Sequence, residues 1–410
     1  MEQINIAIKF KNALNSATRK LKHIGKCVNA KKSYSDDSDD DSSNESNEIV
    51  KSEEPINKII SFLKNFFYLH YGITDDDPYI TTKNYAGEAP ISQNVLKLLY
   101  SEAPVSSYGD MMKMETILNK EVRDAREITE FEVDENTINF FKDTWGKHMY
   151  PKNVSVVPYK INFYDKKGHF KLHKDTPDKK LVGTILLSIY ETESIENHIK
   201  IYNPLSDDSF GWIPSHNNYV MFYTDCPHEV LRQECDDIRS IMVFKVYDEI
   251  SEMKALPEGS QSALQILLSE LNIEKAKTGF ILGYEYTVDT NIETLKGSDM
   301  LLASAITNMG FKYTIIPVLV EINAETFYDD SNCSSIESYV YPLTSDCVSY
   351  LLGDTLYPPC TGYNGITFYD LNSKGDLWYE NISKYAQYTG NETQPEEINS
   401  IYINRALIIM

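Results

Sequence analysis

The chain has 410 residues, 42% hydrophobic and 24% charged, which is ordinary for a globular protein and long enough for two domains plus a tail. A formal net charge of -22 repels polyanions and argues against nucleic acid or an anionic membrane as the main partner. Six cysteines without a CxxC pair argue against a zinc site or a disulfide framework. No apolar run approaches a membrane span, and Lys9, Lys11 and Asn12 interrupt any signal-peptide core, so the expected location is intracellular, cytoplasmic or nuclear.

Residues 1–54 read as a tail. It is basic at first, with Arg19, Lys20, Lys22 and Lys26, and then acidic. Ser35 to Glu48 contains only Ser, Asp, Asn and Glu, so it is expected to be disordered. Ser35 and Ser38 precede acidic residues and resemble acidophilic kinase sites. Folded sequence begins near Pro55. Helical spacing marks Ile59–Phe67, and further helices are expected at Ser92–Ser101, Val122–Glu127 and Glu135–Trp145, with a turn at Ser107–Asp110.

After Pro151 the texture changes. Short strands are expected at about 154–165, 169–176, 181–190, 199–204, 210–214, 218–225, 228–233 and 239–248, separated by turn residues. The aromatic content of 12%, with 29 Tyr, agrees with a β-rich chain. Eight short strands suggest a double-stranded β-helix, or jelly roll, with helices before it. Leu181–Tyr190 is almost continuously apolar, as an inner strand would be. Residues 251–410 then read as a second α+β domain, with helices at Glu249–Leu256, Gln261–Leu271 and within Ile292–Met309. Strands are expected there at Phe280–Thr287 and Thr314–Ile322. The fold class is therefore α+β and β-rich, with a catalytic domain over 55–250.

His173 and Asp175 form a His-x-Asp motif, and on a strand residues i and i+2 share a face. His228 opens a later strand and supplies a third donor. Two imidazoles and one carboxylate suit a non-haem iron(II) site with open positions. A dicarboxylate cosubstrate also needs a fixed cation. Arg239, eleven residues after His228, returns beside it on an adjacent antiparallel strand. Arg232, four residues on, is the competitor. His169, His198 and His216 have no carboxylate at matching spacing and read as rim or surface positions. No histidine follows His228, so 251–410 cannot hold a second site of this kind.

Tyr159–Thr176 resembles the strand pair leading into the iron motif of prolyl-hydroxylase-like, iron(II)- and 2-oxoglutarate-dependent dioxygenases. His228-Glu-Val230 followed by Arg239–Phe244 is similar to their second motif, and the layout resembles the larger, two-domain members. The resemblance implies that His173, Asp175 and His228 ligate iron and that Arg239 pairs with the C5 carboxylate of 2-oxoglutarate. It also implies that Tyr164 hydrogen-bonds the cosubstrate and that Thr184 lines the same pocket. Iron(II), 2-oxoglutarate and dioxygen are the implied cofactors, with room for ascorbate. The implied reaction is hydroxylation of a protein side chain, prolyl first. Many relatives carry Gly-Gly where this chain has Ile195-Glu-Asn-His198, which puts the substrate-side loop in doubt. By the same resemblance, 251–410 would be a non-catalytic partner domain, a degenerate jelly roll being one form. Leu295–Asp299 is assigned to it. Two other classes stay open: a non-catalytic jelly-roll scaffold, and an oxygenase of a small molecule or nucleic acid. A basic groove around the His173 mouth would revive the last.

Overall fold

The computed structural model describes residues 25–28, 45–64, 68–110, 115–175, 180–191, 198–206, 208–249, 258–271, 278–284, 286, 295–326, 334–342, 366–371 and 397–410. The chain divides into two compact units. One is Phe66–Lys254 with Asp289–Met300. The other is Met1–Asn65 with Ala255–Val288 and Leu301–Met410.

The first unit holds the eight strands. They run Val154–Tyr164, His169–His173, Leu181–Ser188, Ile199–Tyr202, Ser209–Trp212, Asn218–Tyr223, His228–Val230 and Arg239–Asp248. Four of them form the centre of one sheet, in the order Asn218, Leu181, Arg239, Val154 by first residue. Leu69–Ile73 and Arg126–Ile128 lie at its edges. The other four form a second sheet, in the order Ser209, Ile199, His228, His169, edged by Arg123–Asp124. Every pairing in both sheets is antiparallel. This interleaving of strands between two four-stranded halves is a jelly roll.

The larger sheet is buried on both faces, and its sequence shows why. Leu181–Ser188 is buried at every position, as its unbroken apolar run demands. One face packs on helix Glu135–His148. Asp134 caps that helix by accepting from the Thr137 amide at 2.9 Å. Thr137, Phe141 and Trp145 recur every fourth residue and form its buried stripe. The Phe141 ring meets Phe244 at 5.0 Å, and Trp145 lies over Gly183. The opposite face of the sheet looks toward the second sheet.

The other unit is a closed barrel of six strands, in the order Gly25–Val28, Ser334–Pro342, Tyr313–Thr326, Glu397–Ile409, Thr278–Ile281 and Thr367–Asp370. Ile281, Val318, Val340, Phe368, Ala406 and Ile408 fill its core. It is one closed ring with two parallel pairs, both made by Thr367–Asp370, rather than two facing sheets.

Several expectations change. A strand (Gly25–Val28) falls inside the segment expected to be a tail, and a helix (Glu45–Lys64) starts within its acidic run and continues past its end into the expected helix. Val122–Glu127 is not helical: it supplies two short edge strands. Ser107–Asp110 contributes a strand, Tyr108–Asp110. Leu295–Asp299 belongs to the jelly-roll unit. Ser35, Ser38, residues 192–197 and most of the expected helix Glu249–Leu256 lie outside the described residues.

Candidate active site

A cavity of about 700 Å³ lies between the two sheets of the jelly roll, and its walls carry His173, Asp175, His228, Tyr164 and Thr184. His173 and His228 are register partners on adjacent strands. The register shifts between Phe170 and His173, so the strand bulges one step before the site. The bulge breaks the alternation that would keep His169 in phase with His173. It leaves the His173 ring stacked on Phe170 at 3.6 Å and beside the His228 ring at 4.2 Å.

Each imidazole is oriented by the backbone. His173 Nδ1 meets the Lys171 carbonyl at 2.8 Å, and His228 Nδ1 meets the Cys226 carbonyl at 3.0 Å. A carbonyl accepts only from a protonated nitrogen, so Nδ1 carries a hydrogen in both rings. Burial, and next the adjacent His228, hold the His173 pKa well below the ordinary imidazole value. The ring is therefore neutral, as a ligand must be. Asp175 lies just past the strand's end, not on it. Its Oδ2 accepts from the Thr184 hydroxyl at 2.5 Å.

The donor set suits iron(II): two imidazoles and a carboxylate lining one cavity. The histidines are gathered, whereas Asp175 is engaged by Thr184. Among the described residues no three His, Cys, Asp or Glu side chains are grouped closely enough to hold a metal. Cys226, whose thiol pKa is raised by burial, does not line the cavity.

Arg239 is fully buried at the end of an inward row on its strand, after Lys245, Val243 and Ile241, which line the cavity. Arg239 itself does not line it, and the Tyr164 ring lies over its guanidinium at 5.0 Å. Its Nη2 donates to the carbonyls of Leu231 at 3.0 Å and Gly168 at 3.3 Å. Nε and Nη1 are buried with no hydrogen-bond partner. Two orphaned donors on a buried cation are costly, and a carboxylate would satisfy either one. Arg232 is exposed and lines no part of the cavity.

The sequence reading missed a second buried cation. Arg123, 3% exposed, donates to Glu127 at 3.0 Å and Asn162 at 2.9 Å on the cavity wall. Lys160 reaches the same Glu127 oxygen at 3.3 Å. Arg123 also bonds the hydroxyl of Tyr164, whose pKa is raised mainly by burial. No sequence signal marks Arg123: its burial alternates with that of Ala125 as on a strand, in a segment expected to be helical. His169 is buried rather than on the rim, with Nδ1 and Nε2 against the carbonyls of Lys167 and Glu121. His216 is half-exposed beside Asp77, and His198 lies outside the cavity.

No family model and no curated protein matches the chain. Solved structures do. A Pseudomonas putida prolyl-4-hydroxylase is 10% identical with a TM-score of 0.30, covering 47% of this chain and 99% of its own. A prolyl hydroxylase from Trichoplax adhaerens, solved with a hypoxia inducible factor oxygen degradation domain peptide fragment, is 13% identical with a TM-score of 0.29. That match covers 50% of this chain and 94% of the other. The viral collagen prolyl hydroxylase from Paramecium Bursaria Chlorella virus-1 is 11% identical with a TM-score of 0.28, covering 45% and 97%. These three matched structures are all prolyl hydroxylases. At these scores the likeness carries no weight for function, which rests on the cavity itself.

Proposed function

We propose that the jelly-roll unit is an iron(II)- and 2-oxoglutarate-dependent dioxygenase that hydroxylates a protein side chain, prolyl first. One observation carries the reading: two backbone-oriented histidines share a cavity with Asp175, and a buried arginine with two orphaned donors ends an inward row on the cavity wall. His173, Asp175 and His228 would hold the metal, with Asp175 keeping the Thr184 hydroxyl on its Oδ2. Arg239 would take the far carboxylate of the cosubstrate, with Tyr164 as its neighbour. Thr184 then orients whichever Asp175 oxygen faces away from the metal. Iron(II) with 2-oxoglutarate supplies an oxidative decarboxylation that places one oxygen atom of dioxygen on a C–H bond and the other in succinate. The apolar walls, including Leu186, Ile241 and Val243, keep water from the reacting centre.

The test is anaerobic titration of the purified chain with iron(II) and 2-oxoglutarate. The charge-transfer absorption of the chelate should appear, and succinate should form when oxygen is admitted. Asp175→Ala should abolish both. Unchanged absorption and turnover in that variant would overturn the site. The engagement of Asp175 by Thr184 favours a second reading, a jelly-roll binding protein without metal, for which the wild-type chain would show neither signal.

A further inference from the structure

We propose that the substrate of this cavity is an acidic peptide, with carboxylate side chains flanking the residue to be hydroxylated. The inference rests on the functional reading above and names its substrate class.

The overall charge of -22 points to a basic target, but the cavity is of the opposite sign. Its described walls carry five cations, Arg123, Lys160, Lys171, Lys174 and Lys245, against two carboxylates, Glu127 and Asp175. A divalent metal and a dicarboxylate cosubstrate cancel each other, so loading the site leaves this excess in place. Glu127 accounts for Arg123 and Lys160, and Lys174 has contacts of its own. Lys171 and Lys245 make no ion pair among the described residues. Lys171 is exposed, and the Lys245 ammonium rests on the Tyr159 ring at 4.2 Å. Low-dielectric walls focus such a field into the cleft and attract anions locally, whatever the distant surface carries.

Three features select a peptide among anions. A five-carbon cosubstrate fills only part of about 700 Å³. Two large apolar side chains, Leu172 at 55% exposure and Tyr159 at 41%, stand exposed among the wall residues, as a side-chain-binding surface requires. A polynucleotide would bring most of its phosphates against the acidic remainder of the molecule, whereas a short peptide brings only the few carboxylates that Lys171 and Lys245 can reach.

The experiment uses the full chain with iron(II) and 2-oxoglutarate, held without oxygen. The probe is a fluorescent proline-containing peptide with Asp and Glu on both sides of the proline, compared with its Asn/Gln and Lys counterparts. The acidic peptide should bind about tenfold more tightly than the Asn/Gln peptide at low salt, with the gap closing as salt rises. Lys171→Glu with Lys245→Glu should remove that preference, and the milder Lys171→Gln with Lys245→Gln should reduce it. Equal affinity for the acidic and neutral peptides would overturn the proposal, as would an unchanged preference in the charge-reversed variant. A single-stranded oligonucleotide that binds more tightly than the acidic peptide would overturn it too, and would assign the cavity to nucleic acid. The charge-transfer absorption is read in the same samples. If it fails to form while the acidic preference persists, the oxygenase reading fails alone; if it forms without the preference, the substrate inference fails alone.

Discussion

At the residue scale, the site depends on single atoms with no room to move. A Cβ on Gly183 would lie 2.6 Å from Trp145 Cζ3 and 2.8 Å from the Phe222 carbonyl, both in the packed core. Gly183→Ala should therefore cost about 1–3 kcal/mol, read as a shift in the denaturation midpoint with unchanged slope. Wild-type stability in that variant would mean Trp145 can yield. Arg239 makes a sharper case. Losing a charge-assisted carboxylate contact is worth about 1.5–3 kcal/mol, so Arg239→Ala should raise half-saturating 2-oxoglutarate by about 10- to 100-fold. Arg232→Ala, on the exposed side chain, should leave it unchanged, and the reverse pattern would move the anchor. The strand positions of His173, His228 and Arg239 were legible because the order of the strands constrains them jointly, whereas Asp175, expected on the strand, lies just past its end. Arg123 was not legible, because Val122–Glu127 is short and charged enough to fit either period, and only its partners Asn162 and Glu127 settle it.

Elements show the same split between local signal and distant partner. All eight jelly-roll strands were visible as apolar runs between turn residues. The bulge between Phe170 and His173 was not, because only the opposing strand defines it. Strand Leu69–Ile73 and helix Glu135–His148 meet through His70 and His148, whose rings stack at 3.8 Å. Burial, then His148 and Lys147, depress the His70 pKa to about 4. The unfolded chain takes up that proton near pH 6.5 and the folded chain only near 4. Between those values the unfolded state binds more protons, so stability falls as pH drops through the window. The melting temperature should decline from pH 6.5 toward 4, and by less in His70→Gln. An identical decline in both proteins would show that other groups govern it.

For the whole molecule, the chain order conceals how the jelly-roll unit is completed. Asp289–Met300 is separated from Lys254 by a stretch that belongs to the barrel unit, yet it counts with the jelly roll. Within that segment Lys296, 6% exposed, pairs with Asp225, 8% exposed, and lies 3.5 Å from the Thr224 hydroxyl. Asp225 stands three residues before His228, on the turn whose Cys226 carbonyl orients that imidazole. A sequence reading that ends the domain at 250 misses this, because a lysine carries no local sign of which distant carboxylate it will meet. Breaking a buried pair from one side costs more than it relieves, so Lys296→Met should destabilise by about 3–5 kcal/mol. Lys296→Met with Asp225→Leu should recover part of that loss, since removing both charges removes the desolvation cost. A double variant no more stable than the single one would mean the lysine acts by packing rather than by charge. The same pairing bears on the site, for a turn released at Asp225 loosens the carbonyl that fixes His228. Lys296→Met should therefore weaken iron(II) binding, measured by anaerobic titration at a temperature where the variant is still folded. Unaltered affinity there would confine Lys296 to stability.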